Sequence, residues 1–158
     1  MTKSDLNGYA RRVTQATRTE LIVIMYEVAI KYIEDGIVSL KENNREEFRY
    51  NIKKAKEFIN ELSSVLDMKY DISKELFRLY SYMNRVLVKA DTSPDENELL
   101  RIIGMINKLK DSFEKIGEND KKPLMQNAQQ VYAGITYSKN SLNEYYGGVS
   151  DIKRGYKA

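Results

Sequence analysis

Ile72-Ser-Lys-Glu-Leu-Phe-Arg-Leu-Tyr-Ser-Tyr-Met-Asn-Arg-Val-Leu-Val-Lys-Ala90 decides the fold. Ile72, Leu76, Leu79, Met83, Val86 and Ala90 recur at three- and four-residue spacing, which places them on one face of a helix. The apolar set then widens. Phe77, Tyr80, Leu87 and Val88 extend it to an arc of roughly 200°, against the ~100° stripe of an ordinary surface helix. Charged Lys74, Glu75, Arg78, Arg85 and Lys89 occupy the remainder. A helix of this kind has more apolar surface than one core face needs, and something further is expected to lie against it.

Working outward, three more helices are expected. Thr17-Arg-Thr-Glu20 has capping-box spacing and opens a helix to about Lys41. Its core face is Leu21, Met25, Ala29, Tyr32, Ile33 and Leu40, and Tyr26, Ile30 and Ile37 widen the arc, again to roughly 200°. Asn44-Arg-Glu-Glu47 has the same spacing and opens a second helix to about Leu66. Phe48, Ile52, Ala55, Ile59, Leu62 and Leu66 give it a heptad-like seam. After the quoted run, Ser93-Pro-Asp-Glu96 reads as a helix start with Ser at the cap and Pro at the first helical position. That helix carries Leu99, Ile103, Ile106, Leu109, Phe113 and Ile116, with Gly117 as its stop.

Four helices of about 20 residues joined by short loops predict an all-α chain, an antiparallel up-down four-helix bundle. Residues 1–16 are polar, with isolated Leu6, Tyr9 and Val13, and read as a mobile arm on a bundle domain spanning 1–118. Residues 119–158 read as a C-terminal extension. Within it Leu124, Ala128, Val131, Tyr132 and Ile135 have the spacing of a short amphipathic helix over about 123–137. Gly147-Gly148 suggests a flexible end.

Composition excludes much. The 158 residues contain no Cys and no His, which removes disulfide frameworks, zinc fingers, Ser-His-Asp and Cys-His sites. No glycine-rich phosphate loop is present among the eight glycines. Carboxylates interleave with Lys and Arg as on solvated helix faces. No catalytic residue, cofactor or metal is expected, and the chain is not read as an enzyme. The longest apolar run, Leu21 to Tyr26, is six residues, far short of the ~20 needed to cross a bilayer. It is also too short for a signal-peptide core, so a cytoplasmic location is expected. The net charge of +3 lies entirely in residues 119–158, which hold six basic and three acidic side chains. Residues 1–118 are balanced, with 20 of each sign, which does not suggest a nucleic-acid binder.

Four short stretches resemble one family, the flagellin export chaperones (FliS). Met25-Tyr-Glu-Val-Ala-Ile-Lys-Tyr-Ile33 is similar to its Leu-Tyr-Asp-Gly-Ala-Ile pattern, and Leu79-Tyr-Ser-Tyr-Met-Asn-Arg-Val-Leu87 to its Leu-Tyr-x-Tyr-Met-x-x-x-Leu run. Leu62-Ser-Ser-Val-Leu-Asp67 resembles the end of its second helix, and Tyr9 before Val13 and Thr14 its N-terminal tyrosine. The resemblance covers about residues 9–117. There are departures: Glu27-Val28 stands for Asp-Gly, Thr17-Arg18 for Ser-Pro, Phe113 for a Trp and Asp91 for an Asn.

The resemblance implies a cytoplasmic, non-enzymatic chaperone. Its client would be the disordered C-terminal segment of flagellin, kept from premature polymerisation and passed to the export apparatus. A segment that folds on binding must bury apolar side chains over a long surface, and the two over-wide helices offer one. The expected client set is Tyr26, Ile30 and Ile37 on the first helix and Phe77, Tyr80 and Val88 on the third, with Tyr9 and Val13 from the arm. The alternative is a structural helical homo-oligomer, or an adaptor for another amphipathic helix, whose extra apolar faces pair with each other.

Overall fold

A computed structural model describes residues 1–118. These form five helices and, among the described residues, no strand: α1 (Lys3–Val13), α2 (Arg18–Lys41), α3 (Arg45–Ser64), α4 (Asp71–Thr92) and α5 (Glu96–Gly117). The amphipathic stretch expected at 123–137 lies outside the described residues.

Side chains at each start explain the boundaries. Thr17 Oγ1 accepts from the Glu20 amide at 3.2 Å while Glu20 Oε2 accepts from the Thr17 amide at 2.8 Å. This reciprocal box satisfies two otherwise orphaned donors at the start of α2. Asn44 caps α3 by accepting from the Glu47 amide at 3.1 Å. Asn43 supplies the left-handed residue (φ 58°) that lets α2 turn into α3. Asn tolerates that conformation better than most residues.

The structure departs from the sequence expectations at two helix starts. The first concerns the start of α5. Its cap is Asp95, which accepts from the amides of Asn97 (2.8 Å) and Glu98 (3.3 Å). Ser93 instead terminates α4, its own amide donating to the Lys89 carbonyl at 2.9 Å. A carboxylate at the positive end of the helix is the stronger acceptor, so the start moves two residues past Ser93.

The second correction concerns the N-terminus. Residues 3–13 are a helix rather than a mobile arm. Thr2 and Asp5 form a capping box, with Asp5 Oδ2 accepting from the Thr2 amide at 2.8 Å. Ala10 and Val13 are buried, and Leu6 and Tyr9 pack against the core. Arg12 forks onto the Glu27 carboxylate, one arm at 3.1 Å, and the Met1 amino group pairs with Asp35. The apolar residues at 6, 9, 10 and 13 make one stripe that needs a surface, and α2 provides it.

The core lies around α2, which packs on α3, α5 and α1. Its contacts with α3 join Tyr32 to Phe58 (ring centroids 6.1 Å), Gly36 to Ile52 and Ser39 to Asn51. As the residue number rises from 32 to 39 along α2, the partner's number falls from 58 to 51 along α3. Gly36 is the point of closest approach, where an added methyl would lie 3.2 Å from Ile52 Cδ1. The contacts with α5 follow the same order: Thr19 with Gly117, Tyr26 with Phe113 (5.8 Å) and Lys41 with Glu96 (2.7 Å). α4 packs on α3 through Asn84–Asn60 (2.6 Å) and Asp91–Arg49 (3.0 Å), and touches α5 far less.

α4 departs from the expected wheel at one point. Its buried positions are Ser73, Leu76, Tyr80, Met83, Val86, Leu87 and Ala90. Ile72, expected on the core face, is exposed. It sits in the first turn of α4, next to the exposed Tyr70, where no other described helix covers it.

Candidate functional site

The eight residues expected to hold a client divide by burial. Tyr26 and Val13 are fully buried, and Ile30, Ile37 and Tyr80 are also inside. Ile30 and Ile37 share the stripe of α2 that carries Tyr26 and Thr19, both of which touch α5. The extra width of α2 is therefore taken up within the molecule, by α5 on one side and α1 on another. Tyr9 is half-buried on α1, with the Arg12 guanidinium carbon 5.9 Å from its ring centre. Burial, then the nearby Glu27 charge, pushes its phenol up.

Only α4 keeps unpartnered apolar surface among the eight. Phe77 is 45% exposed and Val88 57%. Their positions follow from helix geometry. Asn84 and Asp91 both face α3, and 77 and 88 fall within about 40° of that same line at 100° per residue. The two exposed residues thus border the seam between α3 and α4. They are not on the side of α4 that turns toward α5.

Inside, Tyr26 and Tyr80 meet. Their hydroxyls hydrogen-bond to each other and their ring centroids are 6.4 Å apart. Phe113 packs on the other side of the Tyr26 ring. Burial raises both phenols above their usual value, that of Tyr26 far more. Both remain neutral at physiological pH, as a polar pair enclosed by apolar groups must.

Sequence patterning had marked Ile116 as core; it is exposed. It did not mark the exposed apolar cluster Val65, Met68 and Tyr70 at the turn from α3 to α4. These have no helical period, and their only signal is apolar residues placed in a loop. Among the described residues no group of His, Cys, Asp and Glu could hold a metal ion. Nor is any described helix long and apolar enough to cross a membrane.

The described residues thus form an all-helical body with an enclosed core and with Phe77 and Val88 exposed beside the α3–α4 seam. The chain belongs to the flagellar protein FliS family, whose family model matches residues 3–120. The match takes in α1 as well as the four longer helices. The flagellar secretion chaperone FliS of Bacillus subtilis (strain 168) is similar: 26% identical over 110 residues, 70% of this chain and 83% of the relative. The family is one of chaperones, not of enzymes.

Proposed function

We propose that this protein is a cytoplasmic flagellar export chaperone. It holds the C-terminal segment of flagellin, prevents that segment from polymerising early, and brings it to the export apparatus. Family membership across residues 3–120 carries this reading, and the name of the Bacillus subtilis relative supports it. The paired contacts along α2–α3, α2–α5 and α3–α4 suit an antiparallel bundle of the four longer helices, the scaffold such a role needs. Phe77 and Val88 are the proposed direct client contacts, since both are already exposed. Tyr9, Val13, Tyr26, Ile30, Ile37 and Tyr80 join the client set only if α1, α4 or α5 moves away from α2.

Light scattering tests this against self-association through the exposed apolar residues. The chaperone reading predicts that adding a flagellin C-terminal segment gives a defined one-to-one complex. A stable homo-oligomer indifferent to that segment would refute it.

A further inference from the structure

The seam that Phe77 and Val88 border is also cationic. On α3, Arg49, Lys53, Lys56 and Asn60 fall at four-, three- and four-residue spacing, one stripe along the helix. Two members fix its direction, because Arg49 binds Asp91 and Asn60 binds Asn84, both on α4. Reading between those two contacts, Lys53 and Lys56 lie alongside Val88. From the α4 side, Arg85 is exposed one turn before Lys89, on the neighbouring outward line.

The charges around this seam do not cancel. Between Leu76 and Ala90, α4 has no carboxylate but carries Arg78, Arg85 and Lys89. Asp91, at the seam, is occupied by Arg49. Glu75 pairs with Arg78, and Glu98 with Lys89. Of the other α3 carboxylates, Glu57 pairs with Lys54, and Glu46 and Glu61 are exposed about 60° and 120° round the helix from the Arg49 line, off the stripe that meets α4. Among the described residues, Lys53, Lys56 and Arg85 form no ion pair. Exposed apolar side chains beside uncompensated cations favour a partner that is amphipathic and acidic. The chain's own residues 119–158 do not meet that requirement, having six basic and three acidic side chains.

We propose that the α3–α4 seam receives an acidic amphipathic stretch of the client, whose apolar residues meet Phe77 and Val88 while its carboxylates face Lys53, Lys56 and Arg85. This rests on the chaperone reading and adds to it the chemistry of the segment recognised. It also implies electrostatic steering, so that association falls as salt rises.

The probe is the recombinant C-terminal segment of a flagellin from the same genome, titrated into the full chain at low and high NaCl. Binding should weaken with salt. Lys53→Glu/Arg85→Glu should weaken it by about tenfold at low salt, mainly through association. Changing client carboxylates to Lys should restore affinity for that variant. Both positions are exposed, so the melting temperature should not move; should it fall, Lys53→Gln/Arg85→Gln gives a milder variant, expected to weaken binding by about threefold. Tight binding that ignores salt and both variants would overturn the inference while leaving the chaperone reading intact. No binding at all would remove both. A dimer of the free chain that closes this seam would also overturn it.

Discussion

The hydroxyl of Tyr26 on α2 is hydrogen-bonded to that of Tyr80 on α4, across a core in which both residues are almost completely buried. The backbones of α2 and α4 stay apart. The phenol pair therefore links the two helices directly across the core.

The two hydroxyls should not contribute independently of each other. Tyr26→Phe or Tyr80→Phe leaves a buried hydroxyl unpaired and should cost about 1–3 kcal/mol. The double Phe variant should cost less than the two single changes added together. Urea unfolding of the four proteins checks this. Strict additivity would mean the pair contributes nothing as a pair.

The same pair sets an alkaline limit. Folded-state pKa values raised above the ordinary value near 10 mean the native state holds protons that the unfolded chain has released. The stabilisation is fully present below about pH 10 and is lost as pH rises toward the folded values. A phenol that stays protonated in the fold above pH 10 loses at most about 1.4 kcal/mol per pH unit, and Tyr26, the more strongly raised, should dominate. Unfolding at pH 9 and pH 11 should show a steeper fall for the native protein than for the double Phe variant. Equal slopes would contradict the burial of these hydroxyls.

Surface and core apolar residues should separate cleanly. Phe77→Ala and Val88→Ala should leave stability within about 0.5 kcal/mol. Each should weaken client binding by about 1–3 kcal/mol if it anchors the interface. Ile30→Ala should instead cost about 2–5 kcal/mol of stability. Melting and affinity measured on the same variants distinguish the two outcomes. Unchanged affinity in both Phe77→Ala and Val88→Ala would remove the seam from the client surface.

Two glycines should respond in opposite directions. Gly8 is exposed inside α1, and an added methyl would meet nothing within 4 Å. Gly8→Ala should therefore strengthen α1 by about 0.5–1 kcal/mol. Gly36 is buried where α2 approaches Ile52 of α3, and Gly36→Val should cost about 2 kcal/mol through overpacking. Hydrogen exchange in α1 and global unfolding, respectively, report the changes.

The four longer helices were legible because their signals are local. Thr17–Glu20 and Asn44–Glu47 spacing, together with apolar periods over twenty residues, fix where α2 and α3 begin and which faces they bury. α1 was harder to see, since Leu6, Tyr9, Ala10 and Val13 make a stripe too short to outweigh its polar composition. The Thr2–Asp5 spacing was the available signal, an acid three residues after a hydroxyl. At the start of α5, Ser93 and Asp95 both suit a cap. Only the three-dimensional structure shows that the Ser93 amide still belongs to the last turn of α4. The candidate site was less legible for a geometric reason. A helical wheel shows that Tyr26, Ile30, Phe77 and Val88 extend an apolar arc, but not which neighbour covers each part. That depends on α1 and α5 closing over α2 while no described helix closes over the outer edge of α4.

The proposed function requires that this protein bury a flagellin C-terminal segment against its apolar surface. Isothermal titration calorimetry of that segment into the full chain, repeated across a range of temperatures, tests it most directly. The account predicts one-to-one binding with a negative heat-capacity change, the mark of apolar burial. Absence of binding, or tight binding with no heat-capacity change, would contradict it.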